Sequence, residues 1–324
     1  MKKLVLNFIR VAISIGLLVY LILLADLPQI VYLMKNLKPV AVLLAFSASI
    51  MSLFFLSIRW YLLIKSYGMK IKFQKLFIFY LIGLFFNNFL PTSIGGDLSR
   101  AYYLSRDSGN QSASIGTVFL ERIIGLLATL SLAFVSLFWL ANYLETKRIV
   151  YVTVLLAFFV AFFLAMIMSR RLYRRLNGLI SLITFYDIGD KILKVFDTLH
   201  FYRDKKIVLI QAYLSSILAQ IMLILMNFFL AQGLGLSVIK LGYLFLVVPI
   251  TFVIGLLPSI NGIGVRDTGY LILLARLGLE PSQILSLSFS VTIIPVIISV
   301  IGGIIFMVYR TKGIQIPKFS EGKI

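Results

Sequence analysis

Long apolar stretches alternate with short polar segments along most of the chain. Six of these stretches run for about 19 to 28 residues, which is long enough for a helix to cross a bilayer. They cover residues 4–25, 40–58, 113–140, 150–168, 207–234 and 284–309. The pattern therefore predicts an all-α polytopic integral membrane protein with six spanning helices.

Two further apolar stretches, 73–104 and 241–277, are interrupted by proline and glycine. The residues at the interruptions are Pro91, Gly95, Gly96, Pro258, Gly262 and Gly264. Proline ends a helix because it lacks an N–H group, and glycine permits backbone conformations that other residues avoid. A matched pair of broken segments in two halves of a membrane protein indicates a transporter's binding site. We therefore predict two re-entrant helical hairpins, called here the first and the second hairpin.

The composition agrees with a membrane protein. Of the 324 residues, 60% are hydrophobic and 13% are charged, and the mean hydropathy is +1.02. Soluble domains contain about 45–50% apolar and about 25% charged residues. The chain has no cysteine, which excludes disulfide bonds, thiol nucleophiles and thiolate metal sites. We expect no metal, no cofactor and no enzymatic activity, because no catalytic motif is present.

The distribution of basic residues predicts the orientation of the chain. If both hairpins are re-entrant, 23 of the 31 basic residues fall on one side of the membrane and seven on the other. The positive-inside rule then places the N- and C-termini in the cytoplasm of a cell-membrane protein. The hairpins enter from opposite faces, as in an inverted repeat. The net charge of +19 is thereby explained without a nucleic-acid partner.

The predicted organisation is a single membrane domain over residues 1–324. Residues 1–168 form a first half with the first hairpin, and residues 207–324 form a second half with the second hairpin. Between them, residues 169–206 contain nine Lys/Arg and four Asp. We predict a basic cytoplasmic linker, either an amphipathic helix on the membrane surface or a solvated helix.

Two charged residues, Glu121 and Arg122, lie inside an apolar stretch. Ionisable residues within a membrane are costly and are functional candidates by default. Neighbouring residues point about 100° apart on a helix, so the two side chains need separate partners. The candidates are Arg100 or Arg266 for Glu121, and Asp97 or Asp267 for Arg122. Such a network either contributes to a binding site or only locks the hairpins, and both roles are compatible.

Four segments resemble the membrane region of the lysylphosphatidylglycerol synthases, a flippase-like family also called multiple peptide resistance factors. They are Arg59-Trp60-Tyr61-Leu62-Leu63, then Gly83-Leu84-Phe85-Phe86-Asn87-Asn88-Phe89-Leu90-Pro91 with Gly95-Gly96-Asp97 and Arg100, then Leu120-Glu121-Arg122 with Gly125-Leu126-Leu127, and Pro258 with Gly262-Ile263-Gly264-Val265-Arg266-Asp267. The resemblance covers nearly the whole chain in the same order and spacing. The family often has Glu where this chain has Asp267, which keeps an acid but shortens its reach.

The resemblance implies a module that moves a modified phospholipid between leaflets. In the full-length synthases an aminoacyl-transferring domain follows the membrane region, and we expect this chain to lack it. A separate lipid-modifying enzyme is therefore an expected partner, and self-association into a homo-oligomer is compatible with the same interpretation.

The arginines of the two hairpins are the predicted ligands of a lipid phosphate. Arg100 and Arg266 each follow a glycine loop, and a guanidinium binds phosphate through two parallel hydrogen bonds. Asp97 and Asp267 belong to the same predicted site, although helix capping explains them equally well. The polar residues that complete the predicted headgroup site are Asn87, Asn88, Ser93 and Asn261.

Other polar residues have a structural interpretation. Arg59, beside Trp60, is typical of a side chain anchored at the membrane interface. Ser216, Gln220 and Asn227 share one face of a predicted span, and we expect them to bond neighbouring helices rather than substrate.

Translocation of a phosphate-bearing lipid, either a phospholipid or a polyprenyl-linked carrier, is the function that these features favour. A lipid-dependent transferase for glycosyl or aminoacyl groups is a first alternative, and product turnover by the purified protein would favour it. A secondary transporter of a small solute is a second, and solute uptake without lipid movement would favour that.

Overall fold

The computed structural model describes residues 16–17, 19–21, 23–89, 95–140, 154, 158, 197–198, 200–255 and 262–311. No strand occurs among them. The helices are α1 (Leu27–Lys35), α2 (Pro39–Ser66), α3 (Phe73–Phe89), α4 (Gly95–Ser108), α5 (Gln111–Leu140), α6 (Lys206–Gly233), α7 (Leu241–Ile254), α8 (Val265–Leu274) and α9 (Pro281–Thr311). Single 3-10 turns occur at Tyr202–Asp204 and Ala275–Leu277. The all-α class predicted from the sequence is confirmed for this part of the chain.

Four helices are long and apolar enough to cross a membrane. They are Pro39–Ser66, Gln111–Ser136, Lys206–Gly233 and Pro281–Val308. These four coincide with four of the six predicted spans. The other two, 4–25 and 150–168, lie largely outside the described residues, so a total of six spans stays a prediction. The same holds for most of the linker 169–206.

Helices α2 and α6 pack along each other and join the two halves of the chain. The buried face of α2 carries mainly small residues, among them Ala41, Ala45 and Ala48. Small side chains let two helices approach closely, and this is how helices associate within lipid. Ala41 lies against Gly233, whereas the hydroxyl of Ser215 donates to the carbonyl of Phe55 at 2.7 Å. The two helices are therefore antiparallel, and residues of both halves share one core.

The polar face predicted on α6 bonds neighbouring helices, as expected. Ser216 accepts a hydrogen bond from Arg59 of α2 at 3.1 Å. The amide of Gln220 donates to the hydroxyl of Thr129 on α5 at 2.6 Å. Asn227 accepts from the hydroxyl of Tyr270 on α8 at 2.6 Å. Since such groups are costly in hydrocarbon unless paired, these bonds fix the rotation of α6.

The first broken segment consists of the helix pair α3 and α4. Gly83 lies against Arg100, and the rings of Phe79 and Tyr103 stack at 5.4 Å. The earlier residue of α3 lies against the later residue of α4, so the two helices are antiparallel. Gly96 packs directly on Gly83. The contact is so close that a Cβ at Gly96 would overlap the carbonyl oxygen of Gly83.

The second broken segment is also an antiparallel helix pair, formed by α7 and α8. The hydroxyl of Tyr243 near the start of α7 donates to the carbonyl of Leu273 at the end of α8, at 2.8 Å. The chain enters α8 through Gly262 and Gly264, whose φ angles of 78° and 79° are in the left-handed region that favours glycine. Both predicted hairpins thus contain paired helices, whereas their re-entry from opposite faces and the inverted repeat stay predictions.

Candidate functional site

A cluster of buried charges lies between the first hairpin and helices α2 and α5. At its centre is Glu121 of α5, which is completely buried. One carboxylate oxygen binds Arg59 at 2.6 Å and accepts from the hydroxyl of Tyr80 at 3.0 Å. The other oxygen binds Arg100 at 2.8 Å. The side chain of Glu121 therefore connects α5 to α2, α3 and α4 through hydrogen bonds.

Arg100 lies in the cluster with every side of its guanidinium close to a protein group. It binds Asp97, one turn earlier on α4, at 2.5 Å. Its guanidinium carbon is 4.2 Å from the centroid of the Tyr80 ring and 5.1 Å from that of Trp60. The absence of a side chain at Gly83 makes room for it, because a Cβ there would lie 2.7 Å from Cγ of Arg100. A phosphate at either terminal nitrogen of Arg100 would compete with a carboxylate that is already bound.

Arg122 points away from Glu121 and pairs with Asp97. Its side chain is 41% exposed, whereas that of Glu121 is fully buried. The prediction that the two neighbours take separate partners is confirmed, with Arg100 binding Glu121 and Asp97 binding Arg122. Their role in binding a substrate stays a prediction.

The interpretation of Arg59 as an interfacial anchor is wrong. Arg59 and Trp60 are 5% and 0% exposed, because α2 continues to Ser66 rather than ending at Ile58, and both residues lie inside the bundle. A signal for this pairing was present in the sequence. Gly125 follows Glu121 by one helical turn, and a Cβ at Gly125 would lie 2.8 Å from Nη1 of Arg59. Tyr80 is the other cluster residue that sequence reasoning missed.

The acids of the two hairpins have different local roles. Asp267 is 1% exposed, and its carboxylate accepts from the backbone N–H of Gly264 at 2.8 Å and from the hydroxyl of Ser288. The capping interpretation is therefore confirmed for Asp267. The two carboxylate oxygens of Asp97 bind Arg100 and Arg122 instead. At the start of α4 it is Asn87 that accepts from the N–H of Gly96, at 2.9 Å.

The ends of both hairpins contact the middle of α9. The amide of Asn88 donates to the carbonyl of Pro295 at 3.4 Å, and Nη2 of Arg266 donates to the hydroxyl of Thr292. Thr292 and Pro295 are one helical turn apart. Proline also leaves the carbonyl of Val291 without its helical N–H donor. Polar groups from the two hairpins thus lie close together beside a proline in a long apolar helix.

Four of the predicted site residues, Pro91, Ser93, Pro258 and Asn261, lie outside the described residues. Gly95, Gly96, Gly262 and Gly264 are at the ends of the hairpins, as predicted.

Comparison with known proteins gives one family and one relative. The profile described as the lysylphosphatidylglycerol synthase TM region matches residues 7–303. A UPF0104 membrane protein of Methanocaldococcus jannaschii is 26% identical over 311 residues, which are 90% of this chain and 91% of the relative. No solved structure matches the chain.

Proposed function

Because the chain belongs to the lysylphosphatidylglycerol synthase transmembrane-region family, we propose that it translocates a phosphate-bearing lipid between membrane leaflets. The substrate is a phospholipid or a polyprenyl-linked carrier. The observation that carries the proposal is the meeting of both hairpins on the middle of α9, where the partners of Asn88 and Arg266 are one helical turn apart. The headgroup passes beside these residues while the acyl or prenyl chains remain in lipid.

The physical task of such a protein is to lower the barrier for a charged headgroup. An unpaired charge in hydrocarbon is several kcal/mol less stable than in water, so headgroups rarely cross unaided. Polar groups near mid-membrane replace part of the lost hydration. The buried cluster around Glu121 supports this role by holding the first hairpin against α2 and α5 through charge-assisted hydrogen bonds.

We propose a transporter rather than an enzyme, located in the cell membrane with both termini in the cytoplasm. A separate lipid-modifying enzyme would then produce the translocated lipid. Turnover of a lipid or donor substrate by the purified protein would contradict this proposal.

Reconstituted vesicles test the proposed activity directly. We expect purified protein to move fluorescent phosphatidylglycerol between leaflets, so that a membrane-impermeant quencher reaches more than the outer-leaflet fraction. Vesicles with heat-denatured protein serve as the control. A water-soluble fluorophore enclosed in the vesicles tests whether they remain intact. A fluorescent glycosyl diacylglycerol, whose headgroup is polar but lacks phosphate, tests whether movement requires the phosphate. Equal quenching with active and denatured protein would contradict lipid translocation.

Single-cysteine variants test the proposed opposite entry of the hairpins. The chain has no native cysteine, so each variant reports on one position. We expect Ser93→Cys to react with a membrane-impermeant thiol reagent from the cytoplasmic face and Ser259→Cys from the opposite face only. Lys70→Cys and Glu280→Cys, at exposed positions between helices, are the matched controls for the two faces. Reaction of Ser93→Cys and Ser259→Cys from the same face would exclude the inverted repeat.

A further inference from the structure

Arg266 differs from the other two arginines that lie deep in the described helices. Arg59 and Arg100 each bind a carboxylate oxygen within 2.8 Å. Arg266 comes only within 3.9 Å of Asp267. Its hydrogen-bond partner is the neutral hydroxyl of Thr292. The positive charge of Arg266 is therefore the least neutralised of the three.

The nearby acid cannot approach Arg266 without losing its own bonds. The two carboxylate oxygens of Asp267 accept from the N–H of Gly264 and the hydroxyl of Ser288. The first bond holds the start of α8, and the second holds α8 against α9. Both oxygens of Asp267 are thus held, one at the start of α8 and one by α9, and the side chain is not available to turn toward Arg266.

One edge of the Arg266 guanidinium has an unused donor. Nε is buried and has no hydrogen-bond partner among the residues that the structure describes, and Nη2 on the same edge donates to Thr292. The Nε–Nη2 edge binds planar or tetrahedral oxyanions through two parallel hydrogen bonds. A buried donor without an acceptor is unfavourable, so an anionic ligand at this edge would remove an existing penalty. The Arg266 side chain as a whole is 20% exposed, whereas Nε itself is buried.

We propose that Arg266 binds the phosphate group of the ligand through its Nε–Nη2 edge, beside Thr292 and within one turn of the Asn88 contact on α9. The cluster around Glu121, including Arg100, then stabilises the first hairpin and does not bind phosphate. The assignment of the phosphate to a lipid rests on the proposed function, whereas the site itself does not. Free phosphate offers the same oxygens, and a comparison of a lipid probe with inorganic phosphate separates the two sources.

Titration calorimetry of the full-length protein in detergent tests the site. The probes are dihexanoyl phosphatidylglycerol, inorganic phosphate and dihexanoylglycerol, which lacks phosphate. We expect Arg266→Gln to weaken binding of the phosphate-bearing probe about tenfold or more, since hydrogen bonds to a charged group are lost. Arg266→Lys keeps the charge without the paired donors and should recover part of the affinity. Arg276→Gln, at an exposed position in the 3-10 turn that follows α8, should bind as the wild type does.

A further variant, Thr292→Val, leaves the charge of Arg266 in place and tests the hydroxyl of Thr292 alone. We expect it to lose less phosphate affinity than Arg266→Gln does. Tighter binding of phosphatidylglycerol than of inorganic phosphate assigns the site to a lipid headgroup, and the reverse order assigns it to a free anion. Wild-type affinity in Arg266→Gln, equal binding of dihexanoylglycerol, or no binding of either phosphate probe would overturn the proposal. Binding that depends on Arg266, together with no lipid movement in vesicles, would refute the proposed function and leave the site standing.

Discussion

Replacing Glu121 with glutamine is expected to lower the free energy of unfolding by about 3–5 kcal/mol, the usual loss when one member of a buried ion pair is removed. The variant keeps the size of the side chain and removes its charge. Arg59 and Arg100, which bind its two oxygens, then remain as buried cations with a weaker acceptor. We expect the first hairpin to separate from α2 and α5 and lipid movement to be lost.

The measurement is unfolding by SDS titration of the purified protein, followed by tryptophan fluorescence. Trp60 is a suitable reporter because its ring lies 5.1 Å from the guanidinium of Arg100. Asp107→Asn is the matched control, because Asp107 pairs with Lys75 at an exposed position, where an ion pair contributes about 0–1 kcal/mol.

A double variant separates the charge effect from the loss of hydrogen bonds. Glu121→Gln combined with Arg59→Gln removes one cation together with the acid, and we expect it to be more stable than the sum of the single changes implies. An effect of Glu121→Gln no larger than that of Asp107→Asn would mean that the cluster is hydrated and not buried.

Much of the fold could be predicted because few backbone structures are stable within lipid. Backbone polar groups in hydrocarbon must be satisfied within a helix, so length and hydropathy locate a span well. The four long helices that the structure describes agree with this rule. Pro91 with Gly95-Gly96, and Pro258 with Gly262 and Gly264, likewise located the two helix pairs, because few helices continue through such residues.

The pairing of charged residues could be predicted only in part. Electroneutrality and the spacing of Glu121 and Arg122 were enough to propose partners in the hairpins. The position of a residue relative to a helix end was a weaker guide. The apolar stretch that predicts α2 ends at Ile58, which would place Arg59 at the membrane interface. The helix continues for eight more residues to Ser66, so Arg59 lies in the core. Tyr80 was missed because one tyrosine among sixteen carries no periodic signal.

Contacts between glycines of different helices could not be predicted from the sequence. The pattern suggested that Gly95 and Gly96 break a helix. The structure shows that Gly96 is helical and packs against Gly83 of α3. Only the three-dimensional arrangement reveals that the absent side chain is needed for the approach of two backbones.

The last prediction follows from this contact. Gly96→Ala is expected to destabilise the protein by about 3 kcal/mol, at the upper end of the range for overpacking. A Cβ at this position would overlap the carbonyl oxygen of Gly83 and the side chain of Asn87, and a backbone oxygen cannot move aside as a flexible side chain can. Helix α4 must then shift away from α3, and it carries Asp97 and Arg100 away from Glu121.

Gly242→Ala is the matched control, since a Cβ there meets no atom within 4 Å. Alanine favours a helix more than glycine does, so the control should be neutral or slightly stabilising. The measurement compares SDS unfolding and lipid movement for both variants at equal expression. Gly83→Ala gives an independent check, because its Cβ would press on Arg100 from the α3 side and should reduce both quantities. If Gly96→Ala is as stable and active as Gly242→Ala, α3 and α4 do not form the close pair on which the position of Arg100 depends.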